Sequence, residues 1–227
     1  MRYTVHNFYH NRRTLPLKKI YDGVQRFCAA HPRFGISNLM RVIVAGNVAV
    51  YVLMLLTQSN DVNALNFLTF NLHALLRGEI WRLVTFVFVP AYSSPFSLLI
   101  SLYFYYWIGS TLERQWGTAK FNLYYISGML LTVLGAVLAS LITGNYYLTV
   151  AGTNYVNLSM FFAFAVLFPN AQVLLFFIIP VKMKWLAYLD GALFAFDIIS
   201  AIGRHSWGGV VLPIVALLNF AVFIWPE

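Results

Sequence analysis

Residues 150–159 read V-A-G-T-N-Y-V-N-L-S and run straight into M-F-F-A-F-A-V-L-F-P. Thr153, Asn154, Asn157 and Ser159 therefore stand at the mouth of an apolar run, where unpaired polar groups are costly. A serine in such a place becomes a nucleophile only if an imidazole within hydrogen-bond reach takes its proton. An asparagine has no oxygen that a base can activate. The pairing to weigh is Ser159 with His205. Ser159 lies about 7.5 Å deeper than Asn154 along a helix rising ~1.5 Å per residue, whereas His205 falls at the outer rim, so the two are not expected to meet. Asp190, Asp197 and Arg204 recur at intervals of seven, on nearly one helical face. A carboxylate near mid-bilayer costs roughly 2.5–3.5 kcal/mol and should face the bundle interior or water. It could serve a proton or ion route, dock a partner helix, or sit satisfied by Asn, Ser or Tyr neighbours. The last reading is favoured, with Asp197 the residue most worth testing. Asn47, Asn157 and Asn219 read as interhelical hydrogen bonds. The single cysteine, Cys28, excludes an internal disulfide and a cysteine metal site; neither metal nor cofactor is expected.

The elements that must hold these residues are set by composition. Of 227 residues, 60% are hydrophobic, 18% aromatic and only 10% charged, with mean hydropathy +0.72. A soluble domain carries roughly a quarter charged residues, so this is an all-α, polytopic membrane protein in contact with the lipid bilayer. The net charge of +8 does not imply nucleic-acid binding, because it is not spread over a soluble face. Apolar windows predict six spans, at about 39–57, 93–112, 121–142, 148–168, 183–202 and 208–225. The membrane domain is thus 39–227, behind a basic cytoplasmic segment, 1–38. Arg2, Arg12, Arg13, Lys18, Lys19, Arg26, Arg33, Arg41, Arg114, Lys120, Lys182 and Lys184 fall on one side, and only Arg77, Arg82 and Arg204 opposite. That bias puts both termini in the cytoplasm, in the plasma (inner) membrane if the chain is bacterial. No secretory signal peptide is visible. Leu17, Ile20, Tyr21, Val24, Phe27 and Cys28 recur at helical spacing, which suggests either a helix lying on the leaflet or one docked on the protein's own loops. The first external loop, roughly 58–92, is too apolar for a solvated loop and predicts a hairpin half-sunk in the outer leaflet.

Five motifs in order carry a family resemblance: Trp81-Arg82 in W-R-L-V-T-F; Gly109, Glu113 and Gly117 in G-S-T-L-E-R-Q-W-G; F-N-L-Y-Y-I-S-G; F-P-N-A; and Gly208-Gly209. With six spans, this order resembles the rhomboid superfamily of intramembrane proteases, over roughly residues 39–225. The resemblance implies a compact six-helix bundle around a polar site open to the outside. Glu113 reads as a structural anchor that reaches water or caps backbone donors.

The resemblance also implies where protease chemistry would sit. The family's serine falls on Asn154, its histidine on Ser206, and its oxyanion-assisting His and Asn on Ser97 and Ser101. All four have lost that chemistry, although Asn154 and Ser206 could hydrogen-bond each other. The expectation is a non-enzymatic pseudoprotease that binds or routes transmembrane client proteins through a lateral opening between spans two and five. The alternatives are a protease using Ser159 and His205, and a small transporter or ion pathway using Asp190 and Asp197. Pro213 stands where the family packs a small residue between spans four and six.

Overall fold

The computed structural model describes residues 16–57, 64–90, 94–175, 179–204 and 206–224. Each of the six apolar windows contains a long helix: α2 (Leu39–Thr57), α6 (Pro95–Trp116), α7 (Thr118–Thr143), α8 (Asn154–Leu167), α9 (Met183–Gly203) and α10 (Trp207–Ile224). Before them lies α1 (Pro16–Ala30), and between α2 and α6 the short helices α3 (Ala64–Leu68), α4 (Leu72–Leu76) and α5 (Arg82–Thr85). Among the described residues four helices, α2, α7, α9 and α10, are long and apolar enough to cross a membrane. Polar and charged residues dilute α6, and α8 has only 14 residues, about 21 Å against a hydrocarbon core of ~30 Å.

Buried α7 is the central post, packed against α6, α8 and α10. Small residues let the helices approach where no hydrophobic force separates helix from lipid. A Cβ on Gly135 would lie 3.2 Å from Leu212 of α10, and one on Gly128 would lie 3.0 Å from Asn219. Pro213 is buried within α10, yet α10 still meets α8, with Phe162 and Phe220 rings 6.0 Å apart. In contrast, α9 is loosely held: Met183 and Ala201 are its buried residues.

Three expectations change. The fold is mostly helical rather than all-α, because β1 (Gln172–Leu175) and β2 (Ile179–Lys182) pair antiparallel, with Pro180 opposite Leu174. Q-V-L-L and I-P-V-K are too short to stand out from flanking apolar helices, and a proline that lacks a donor is tolerated in an edge strand. The fourth apolar window does not start its helix at 148. Val150 instead exchanges backbone hydrogen bonds with Phe70, and Gly152 N–H donates to Phe86 O at 2.8 Å. The first loop is consequently not a hairpin but short helices folded onto the bundle, with Phe70, Phe86 and Val87 in the core and Phe67, Leu76, Ile80, Trp81 and Val84 left facing outward. Meanwhile α1 rests on α7 and α10, where Lys120 Nζ lies 5.3 Å from the Tyr21 ring and 4.9 Å from that of Trp116.

Candidate functional site

After the Val150–Phe70 pairing and a bend at Gly152, α8 begins only at Asn154. Its first residues open onto a cleft between α2, α6 and α8, lined by Asn47, Ser101, Tyr105, Thr153, Asn154 and Asn157 together with apolar Met40, Ile43, Val44, Leu98 and Leu102. Free space for a water centre is about 20 Å³, enough for a water molecule or a narrow polar group.

Two of the four sequence-aligned positions, Ser101 and Asn154, meet in this cleft. Ser97 is exposed one turn nearer the start of α6, outside the lining. Ser206 is exposed beside Gly209, makes no hydrogen bond to Asn154, and does not line the cleft. His205 lies outside the described residues. No histidine among the described residues reaches the cleft.

Ser159 is buried and already committed. Its Oγ accepts from Tyr124 Oη at 2.8 Å and donates to Val156 O at 2.9 Å. Asn219 does join helices, accepting from Ser127 Oγ at 2.7 Å and donating to Tyr124 O at 3.2 Å. Asn47 donates to Ile43 O and, across to the first loop, Val87 O. Asn157 departs from the interhelical expectation: its Nδ2 donates to Oγ1 of Thr153, the residue that precedes its own helix, at 2.8 Å. Its Oδ1 is buried with no partner among the described residues. A buried acceptor left unpaired costs roughly 1–3 kcal/mol, and this residue lines the cleft.

The motif residues form the frame. Arg82, only 6% exposed, pairs with Glu79 (Nε to Oε2 2.6 Å) and donates to the carbonyls of Asn66 and, at 2.6 Å, Thr69. Trp81 Nε1 donates to Phe67 O at 3.1 Å. One guanidinium and one indole thus tie together the backbone of the first loop. Gly109 lets α2 approach α6, since a Cβ there would come 2.4 Å from Met40 Cγ. Gly117, at φ +82°, makes the turn from α6 to α7. A Cβ on Gly208 would stand 3.2 Å from Leu148 and one on Gly209 2.9 Å from Ala201.

The F-N-L-Y-Y-I-S-G motif holds a residue whose role the sequence did not assign. Asn122 is 1% exposed, accepts from Ile36 N at 2.9 Å and donates to Ile36 O at 3.0 Å. It clamps the chain entering α2. Gly35, at φ +97°, is the companion, because a Cβ there would overlap the Asn122 side chain. The motif marked the asparagine in the sequence but did not reveal its partner.

Asp190 and Asp197 of α9 form no ion pair or hydrogen bond among the described residues. Asp190 is half-buried and Asp197 exposed, so they are not the satisfied interior carboxyls favoured above. The loose packing of α9 leaves them without a polar partner among the described residues. No metal-binding group of His, Cys, Asp or Glu occurs among the described residues.

A mostly helical chain with several membrane-length apolar helices and a polar cleft among them is an integral membrane protein. It belongs to the family described as Eukaryotic integral membrane protein (DUF1751), whose model matches residues 41–219. The description is of eukaryotic proteins and leaves a bacterial inner membrane without support. Comparison with curated proteins gives no match.

Proposed function

We propose that the chain is a six-span, rhomboid-like protein without protease chemistry, and that it binds or routes transmembrane client proteins. In this reading α6 and α8 also lie across the membrane, α8 completed on the outer side by the extended segment before it, and both termini are cytoplasmic. The observation that carries the proposal is the cleft itself. It gathers Asn47, Ser101, Thr153, Asn154 and Asn157, groups that give and take hydrogen bonds, and no histidine among the described residues lines it. Such groups suit the backbone of a locally unwound helix, whose free N–H and C=O must be paired in the absence of water. The outward apolar face of the first loop would disturb the outer leaflet nearby.

Two measurements test this. Purified protein in lipid is incubated with a reporter transmembrane substrate, beside Ser159→Ala and His205→Ala variants and an active rhomboid. No cleavage is expected; cleavage that either substitution abolishes overturns the proposal. Photo-crosslinkers in α6 and α9 should then capture transmembrane partners more efficiently than those in α7, and equal capture counts against client binding.

A further inference from the structure

An exposed carboxyl group inside an apolar span calls for something to pair with it. Asp197 is the fifteenth residue of the 21 in α9, well away from either headgroup region if that helix crosses the bilayer. Its neighbours Leu193, Phe196 and Ile199 are exposed and apolar. Its helix packs on α8, yet Asp197 forms no ion pair or hydrogen bond among the described residues. At the start of α8, Asn154 opens the cleft in which Asn157 Oδ1, in a side chain only 8% exposed, also lacks a donor among the described residues. An acceptor on α8 and a second on α9 are thus each in want of a donor, and α6 and α9 both pack on α8.

We propose that the opening between α6 and α9 receives a transmembrane helix bearing a lysine or arginine near mid-membrane, with Asp197 as the group that pairs with that cation. This rests on the client-binding reading above and names the client's chemistry. A cation left in the bilayer centre is as costly as a carboxylate, so bringing the two together relieves both. The cations at the ends of this chain's own long helices do not meet the need. Arg41, Arg114, Lys120 and Lys184 lie in the first or last three residues of their helices, and Arg204 lies beyond the end of α9. None of them reaches the depth of Asp197 in a parallel pair.

The test uses full-length protein in phosphatidylcholine liposomes, with a photo-crosslinking residue replacing Phe196 or Tyr103. The probes are leucine–alanine peptides of roughly 20 residues, long enough to span, with Lys, Leu or Glu at the centre. The lysine peptide should label at about a tenfold lower peptide-to-lipid ratio than the leucine peptide. Asp197→Asn should erase that preference, while Asp197→Glu keeps it. Equal labelling by lysine and leucine peptides, or a preference unchanged in Asp197→Asn, overturns the role of Asp197 and leaves client binding standing. Labelling of a second copy from Phe196 that excludes the lysine peptide overturns it as well. Absence of labelling by any peptide from either helix removes both readings.

Discussion

Glu113 Oε1 accepts the backbone N–H of Asn38 at 2.8 Å, 75 residues away in sequence. The same oxygen accepts Thr118 Oγ1 at 3.2 Å, so one carboxylate at the end of α6 holds both the start of α2 and the turn into α7. It caps the residue just before α2, whose own φ of +55° makes the turn into the helix. Glu113→Ala should destabilise the protein by about 1.5–3 kcal/mol, the range for a hydrogen bond to a charged group. Glu113→Gln, which keeps an acceptor, should lose less than half as much. Thermal unfolding in detergent, followed by tryptophan fluorescence, measures both.

The guanidinium of Arg82 bridges Glu79 and two backbone carbonyls in a planar fork that an ammonium cannot reproduce. Arg82→Lys should therefore loosen the first loop almost as much as Arg82→Ala. Faster amide hydrogen exchange across residues 66–85 is the expected result, with α7 protection unchanged.

Gly109 and Gly117 matter for different reasons, and one experiment separates them. Gly109→Ala forces its new methyl against Met40, at a cost of about 1–3 kcal/mol; adding Met40→Ala should recover part of that loss, since contacting sites are not additive. Gly117→Ala meets no atom within 4 Å but places a side chain at φ +82°, ψ 159°, a region essentially reserved for glycine, costing about 1–3 kcal/mol. Met40→Ala should give it no relief.

Burial pushes the Cys28 thiol above its ordinary range, and the charge of Lys120 opposes this more weakly. The raised value leaves less thiolate near neutral pH, so maleimide labelling of Cys28 should be slower than that of a cysteine in a short unstructured peptide. Labelling should accelerate with pH beyond the point where the peptide's rate levels off. Lys120→Gln removes the opposing charge and should slow the reaction further.

Asn157 offers a way to separate stability from function. Replacing a buried unpaired acceptor with an apolar side chain of similar size can be neutral or stabilising. Asn157→Leu should leave the melting temperature unchanged or higher, yet lower the yield of client crosslinks from α6. A variant less stable than wild type, with crosslinking intact, would assign Asn157 to the frame alone.

Hydropathy sufficed to show a membrane protein and the position of each long helix, because hydrocarbon leaves the backbone few ways to satisfy its own polar groups. The motif residues Arg82, Gly109 and Gly117 were also legible, since a charge in an apolar loop and a glycine at a close approach or a turn each announce a constraint. Their partners were not. That Glu113 would meet Asn38, and Asn122 would meet Ile36, depends on which helix ends come together. Periodicity within one helix carries no information about that.

Depth and company were likewise decided by the fold. The run from 148 to 168 looks like one continuous apolar span, but pairing of Val150 with Phe70 holds its first residues extended and starts α8 at Asn154. That shift carries Asn154 and Asn157 into a cleft with Ser101 and leaves Ser206 outside it. Sequence alone determined which polar residues had to lie among apolar helices. Only the tertiary structure decided which were paired, because a hydrogen bond depends on a few tenths of an ångström between chains far apart in sequence, and Asn157 and Asp197 are where that pairing was left open.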